Sequence, residues 1–392
     1  MKTCFLSITI AMSLFSCHDQ RSGVFTHDLS FLKSHDSSLV VLQDGDAKII
    51  VSPKYQAKVF TSTADGSQSF GWIHYKAFDS SLDPHMNAYG GENRFWLGPE
   101  GGKFSLFFPK ATKMEFAHWK TPAAFDSEPW TLVVASKMFA SLRKDMQLTN
   151  YAGSTFSLRV DRKITLLSRP AMGLLLQTDF FKDLAVVAYR TENTVTNTGN
   201  TAWDDSTGMP CTWILDMFPP SEHTTIVMPY KLGQTGSPAT TDYFGEILPD
   251  RIKYGNDVLY FKGDGKQRGK LGMHPAVAKN VAGSYDATKK VLTIILFDVD
   301  PLGKYLNQEW RIDKATFSGD AMNAYNDGPL VDGTQMGPFY ELESVSTAHY
   351  LAPGQSATHW HSVFHITGDE AALSHLSEQV LGVSLEQIKK AL

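Results

Sequence analysis

The chain has 392 residues, 42% of them hydrophobic and 20% charged, with a formal net charge of -5 at pH 7. Those proportions belong to a globular protein with ample core and exclude a disordered or fibrous chain. The acidic balance, with no basic cluster interleaved with aromatics, excludes nucleic acid as the main partner.

The first element is a targeting segment rather than part of the fold. Lys2 supplies a positive start, and Phe5 to Phe15 form an apolar stretch too short to span a bilayer in the mature protein. Leu14-Phe15-Ser16-Cys17 resembles the bacterial lipobox, which implies a signal peptide over 1–16 and lipidation of Cys17. The expected location is therefore outside the cytoplasm, on the periplasmic side or cell surface, held to a membrane by an N-terminal lipid anchor. Beyond Cys17 only Cys211 remains, so the mature domain cannot form an internal disulfide.

Residues 17–38 read as a lipidated tether followed by a short helix, with Leu29, Phe31 and Leu32 at helical spacing between Asp28 and His35. From Leu39 to Thr367 the chain is a succession of short runs rich in Val, Ile, Phe, Thr and Tyr, separated by Gly, Asn, Asp and Pro. Examples are Val40 to Leu42, Lys48 to Ser52, Thr131 to Ala135, Phe156 to Val160, Ile164 to Leu167, Leu184 to Thr191 and Val291 to Val299. Phe156, Leu158 and Val160 alternate with Ser157 and Arg159, the pattern of a half-buried strand. No βαβ rhythm and no internal repeat interrupts the series. The expected fold is all-β, one antiparallel β-sandwich over 39–367. Residues 368–392 then turn helical, with Leu373, Leu376, Val380 and Leu381 before Gly382, and Leu385, Ile388 and Leu392 after it.

The densest chemistry lies near the end of the β region. Tyr340-Glu341-Leu342-Glu343-Ser344 and Thr358-His359-Trp360-His361-Ser362-Val363-Phe364-His365 flank a Pro353-Gly354 turn, which reads as a β-hairpin. Alternation puts Glu341 and Glu343 on one face, and His359, His361 and His365 on another common face. If register brings the two rows together, carboxylates meet imidazoles, the ingredients of proton transfer or metal binding. A one-residue slip separates them and leaves polar residues on a solvated strand. With no Cys or Asp at matching spacing, neither a metal nor any other cofactor is expected.

Three segments in order resemble the aldose 1-epimerase (galactose mutarotase) superfamily. Gly90-Gly91-Glu92-Asn93-Arg94-Phe95-Trp96 is similar to an element whose arginine contacts the sugar. Thr194 to Gly199 resembles a turn between two central strands, and Leu342-Glu343 resembles the pair that carries the catalytic carboxylate. The runs Gly90 to Gly102 and Tyr325 to Pro329 are closer still to an uncharacterised family of bacterial lipoproteins related to these epimerases. The resemblance implies a β-supersandwich of the mutarotase type and a sugar or sugar-acid ligand. It implies Glu343 as general base, with Arg94 and the Asn326-Asp327 loop as substrate-binding residues. Glu341, on the face of Glu343, and Asn93, which serves the loop geometry or the ligand, are the other substrate-binding candidates.

One motif is not matched. Where mutarotases carry a catalytic His, this chain reads Cys211-Thr212-Trp213-Ile214-Leu215-Asp216-Met217-Phe218. His361 is the candidate to replace it as the acid. The expected protein is thus a membrane-anchored, carbohydrate-active protein, epimerase-like, that epimerises or otherwise exchanges a proton with an aldose or sugar acid, Glu343 being the general base. The alternatives are a non-catalytic carbohydrate-binding lipoprotein and, by fold analogy alone, a lyase acting on a uronide.

Overall fold

A computed structural model of the chain describes residues 22–178, 184–233 and 236–392. The targeting segment and Cys17 lie outside the described residues. Three antiparallel sheets carry the fold. A three-stranded sheet joins Val40–Asp44, Ala47–Ser52 and Lys58–Thr63. A ten-stranded sheet runs from its middle toward one edge through Val291–Phe297, Ser356–Gly368, Leu184–Asn197, Thr155–Leu166, Phe139–Thr149 and Thr131–Ala135, in that order. A six-stranded sheet runs Ala239–Thr240, Gly269–Met273, Met322–Asn326, Tyr340–Val345, Cys211–Phe218, Arg94–Gly98. The result is an antiparallel β-sandwich with helices at its two ends.

Alternation decides which residues make the core. Along Thr155–Leu166 the buried positions are Phe156, Leu158, Val160, Arg162, Ile164 and Leu166, a period of two over twelve residues. The two runs that sequence patterning separates, 156–160 and 164–167, are thus one long strand. Leu292, Ile294, Phe364 and Ile366 of the ten-stranded sheet are buried by Leu373, Leu376, Leu381, Leu385 and Ile388 of the C-terminal helices. Those helices, Glu370–Leu381 and Leu385–Lys389, are delimited by local signals. Asp369 accepts from the Ala372 amide, Gly382 turns left-handed at φ 79°, and Ser384 with Gln387 forms a capping box.

The N-terminal helix begins at Phe25, earlier than the spacing predicts, because Phe25 and Leu32 are buried together with Ile50 and Phe60. A helix over Arg169–Leu176 was not anticipated. Pro170 stands in its first turn, where its missing amide hydrogen costs no helical hydrogen bond.

The expected hairpin does not form. Tyr340–Val345 pairs with Met322–Asn326 and Cys211–Phe218, whereas Ser356–Gly368 pairs with Val291–Phe297 and Leu184–Asn197 in the other sheet. The chain between them crosses from one sheet to the other. Every residue of Tyr340–Val345 is buried, so the strand needs a packed layer on each face and a neighbour on each edge. A two-stranded hairpin supplies neither.

This crossing decides where the histidines go. His359, His361 and His365 do share a face, and it is the one turned inward between the sheets. Ser344 of the opposing sheet sits 2.9 Å from His359 Nε2 and 2.8 Å from His361 Nδ1. His361 Nε2 lies 2.7 Å from Asp216 Oδ2, and His365 Nε2 lies 3.1 Å from Glu92 Oε1. Since Ser344 points inward, its neighbour Glu343 points to the opposite face of the sheet. His361 is therefore a core residue, separated from Glu343 by the sheet itself, and it is not the acid partner that spacing suggested.

Candidate functional site

The outward face of the six-stranded sheet is built by register. Arg94 stands opposite Leu215, Leu215 opposite Glu343, Glu343 opposite Asn323, and Asn323 opposite Gly272. The adjacent row reads Met217, Glu341, Tyr325, Lys270. On the other side, Trp96 is paired with Trp213, and Trp213 with Val345. Directly opposed residues of an antiparallel pair share a face, so all of these side chains line one surface. Two residues far apart in sequence, Arg94 and Glu343, are brought into one row. The turn ahead of Arg94 depends on glycine: Gly90 and Gly91 have φ of 81° and 124°, and a Cβ on Gly90 would lie 2.4 Å from the Trp72 carbonyl oxygen.

Glu343 is wholly buried. Its Oε2 accepts from Trp213 Nε1 at 2.8 Å and from Lys270 Nζ at 2.9 Å. Its Oε1 has no partner among the described residues, nor does Arg94 Nε. Arg94 Nη2 donates to Glu341 Oε1 at 2.5 Å, and the guanidinium lies over Trp96, 5.0 Å from the ring centre. Unpartnered buried polar atoms are costly, about 1–3 kcal/mol each, unless a water or ligand satisfies them. Two such atoms point at one surface here.

The electrostatics follow from burial. Burial pushes the Glu341 carboxyl up to about 8; Arg94 opposes that shift and Glu343 adds to it. Contact with Arg94 alone would hold Glu341 ionised, but the desolvation cost is larger. Burial also pulls the Lys270 ammonium down, yet Glu343 and Glu100 pull harder the other way and the net shift is upward. Glu100 itself is raised, first by burial, against the pull of Lys270. Beyond Arg94, Lys58 is buried over the Tyr89 ring at 5.4 Å, and burial and the Arg94 charge bring it down to about 7. These charged groups lie among indole rings: Arg94 over Trp96, the Lys270 ammonium 4.7 Å from the Trp213 ring centre, and Glu100 against Trp310 and Trp119. Tyr243, Phe244, Tyr325 and Arg268 form the open end, with the Arg268 guanidinium 3.9 Å above the Phe244 ring.

Not every residue expected at the site is there. Asn93 alternates with Arg94 and points inward, donating from Nδ2 to Asp216 Oδ1 at 2.6 Å and accepting from Arg162. Asn326 also points inward, accepting from the Gly265 amide at 2.9 Å and donating to the Gln267 carbonyl. Asp327 lies at the rim. It accepts from Tyr325 Oη at 2.9 Å and from the Gly337 amide at 2.8 Å, so it reaches the surface only through Tyr325. Among the described residues, His359 and His361 share the Ser344 hydroxyl, His361 also meets Asp216, and His365 meets Glu92, so the three imidazoles do not converge on one point.

Sequence reasoning missed Lys58, Lys270, Trp213 and Tyr243. Lys270 had a legible signal, a lone cation inside the apolar strand Gly269–Met273. The others had none, because their role depends on strands that meet only in the folded chain.

A family profile described as a family of unknown function, DUF6786, matches residues 23–392. No curated protein matches the sequence. Among solved structures, the chain is similar to a candidate aldose 1-epimerase from Escherichia coli K12, 18% identical, covering 85% of this chain and 99% of that one at a TM-score of 0.49. It is also similar to the Slr1438 protein from Synechocystis sp. PCC 6803, 14% identical, with 84% and 96% covered and a TM-score of 0.50. A galactose mutarotase-like protein from Lactobacillus casei ATCC 334 is 10% identical, with 84% and 100% covered and a TM-score of 0.47. At such identities the likeness concerns the fold alone.

Proposed function

The chain belongs to DUF6786, a family of unknown function, and on that footing we propose that the outward face of its six-stranded sheet binds an aldose or sugar acid and exchanges a proton with it, Glu343 acting as the base. One observation carries this reading. Glu343 is buried with one oxygen held by Trp213 and Lys270 and the other left without a partner, in the same row as an arginine that has a free Nε. A carboxylate so held keeps one oxygen free to accept a proton from a ligand hydroxyl. The indole and phenol rings around it supply apolar faces for a pyranose.

The test is a thermal-shift and anomerisation screen of the mature domain against sugars and uronic acids, since a ligand that binds only the native state raises its melting point. Failure of every sugar and uronate to bind would end the reading. A second reading, binding without turnover, is favoured by Trp213: an indole that cannot exchange a proton stands beside Glu343 in the segment where mutarotases carry a histidine.

The charges also favour an acidic ligand. While Glu341 is neutral, the Arg94 charge is free to meet a ligand carboxylate. As pH rises through about 8 Glu341 ionises and neutralises Arg94. Uronate affinity is therefore expected to fall across that range by about tenfold or more, the worth of one charged hydrogen bond. In Glu341→Gln the fall should disappear. Calorimetric titration at pH 6.5 and 9 checks it, and an unchanged pH dependence in the variant would refute the assignment.

Location is part of the proposal. The lipobox-like run ending at Cys17 supports a lipid anchor that tethers the domain to a membrane. Cys17→Ser is expected to move the protein to the soluble fraction, and mass spectrometry of the mature N-terminus to find acyl chains on Cys17. A mature N-terminus without them would refute the anchor.

A further inference from the structure

We infer that His274, oriented by Asp320 and backed by Tyr243 at the open end of the same face, is the second proton-transfer group of this site, serving the ring oxygen of a sugar whose anomeric hydroxyl meets Glu343. The inference rests on the sugar reading above and names the acid that the reading lacks.

The arrangement starts from a missing side chain. Gly272 continues the row that runs from Arg94 through Glu343 and Asn323, with Thr240 of the edge strand beyond it. A Cβ on it would lie 2.1 Å from Asp320 Oδ2 and 2.6 Å from Asn323 Nδ2. Only glycine lets the Asp320 carboxylate lie against the strand there. Asp320 is itself buried, and its two oxygens face different groups. Oδ2 accepts from Tyr243 Oη at 2.7 Å, and Oδ1 lies 2.9 Å from His274 Nδ1. Asn323 Nδ2, in the Glu343 row, donates to Tyr243 Oη at 3.3 Å. Asn323, Tyr243, Asp320 and His274 therefore form a chain of polar contacts that begins beside Glu343, the register partner of Asn323.

His274 follows Met273, the last residue of the strand that carries Lys270 and Gly272, and its Nδ1 meets the Asp320 carboxylate that lies against Gly272. Its imidazole is about half exposed, whereas Asp320 is not. A buried carboxylate on Nδ1 fixes the ring and leaves Nε2 as the outward nitrogen, the logic by which an aspartate orients a catalytic histidine. The backbones of Glu343 and His274 are two strand spacings and two residues apart, ~12 Å. A glutamate, a histidine and the edge of one pyranose between them fill such a gap. The hydrogen bond to Asp320 raises the proton affinity of His274, opposed by partial burial and by the Lys314 charge. None of the histidines in the strand Ser356–Gly368 reaches this face.

The step balances without a co-reactant. Glu343 takes the anomeric hydroxyl proton, and the electron pair left on that oxygen forms the carbonyl. The bond from the anomeric carbon to the ring oxygen breaks, and its pair stays on the ring oxygen, which takes the His274 proton. After rotation about the bond between the first two carbons, the ring oxygen attacks the opposite face and its proton returns to His274. The new hydroxyl recovers the proton held by Glu343.

The experiment compares wild type, Glu343→Gln, His274→Gln and Asp320→Asn in anomer exchange, followed by NMR across the sugar and uronate panel from pH 5 to 9. His274→Gln is expected to lose ~10²–10⁴-fold in rate. Asp320→Asn should lower the pH at which activity declines, with the imidazole resonance of His274 titrating lower by the same amount. A merely structural Asp320 would reduce thermal stability and leave that pH unmoved. Wild-type rate and pH profile in His274→Gln, beside a dead Glu343→Gln, would overturn the inference and leave the Glu343 reading standing. An active Glu343→Gln beside a slow His274→Gln would refute the Glu343 base and with it the paired step. Wild type inert toward the whole panel would refute both.

Discussion

Glu343→Gln is expected to lower the rate of sugar turnover by ~10²–10⁴-fold, about 3–5 kcal/mol of barrier, while binding survives. The amide keeps the shape of the carboxylate, and its oxygen can still accept from Trp213 and Lys270, which now meet Oε2. Its nitrogen would take the place of the unpartnered Oε1 and cannot accept a proton. Glu100 remains beside Lys270 as a counter-charge, so the ammonium is not stranded. In a protein that only binds, the same change alters affinity by about 1–3 kcal/mol and touches no rate. Anomer exchange and calorimetric binding on the same preparation separate the two outcomes. A fully active Glu343→Gln would remove proton transfer at this carboxylate from consideration.

The second large effect is on stability and lies on the other face of the sheet. Arg162→Met is expected to destabilise the fold by about 3–5 kcal/mol. Arg162 is fully buried between the sheets, donating to Asn193 Oδ1 at 2.6 Å, to the Ala57 carbonyl at 3.1 Å and to Asn93 Oδ1. Burial lowers it to about 10, still well above neutrality, so it stays charged. Asn93 passes the interaction on to Asp216, and Asp216 to His361. Removing the guanidinium orphans three acceptors and leaves Asp216 without its nearest cation. Against a total stability of about 5–15 kcal/mol the loss is severe. Urea denaturation followed by tryptophan fluorescence reads it. An unchanged midpoint would show that the inter-sheet network contributes nothing net.

The strands from Val40 to Thr367 were legible because a period of two with β-branched and aromatic residues follows from pleating, which is local. The terminal helices were legible for the same kind of reason. Asp369, Gly382 and Ser384 mark their ends through hydrogen bonds and φ values that involve only near neighbours. That Glu341 and Glu343 share a face, as do His359, His361 and His365, also follows from the backbone alone.

What the sequence could not decide is which strands become neighbours. Two runs either side of Pro353-Gly354 read as a hairpin, yet they lie in different sheets because each, buried on both faces, needs partners from distant parts of the chain. That one pairing choice sends His361 to Asp216 in the core and turns Glu343 toward Lys270 and Trp213. It likewise sends Asn93 inward while Arg94, one residue on, joins the site. Local periodicity assigns each side chain to one of two faces. Only the packing of the sheets determines which face is core, which is site, and which distant cation, indole or carboxylate stands opposite.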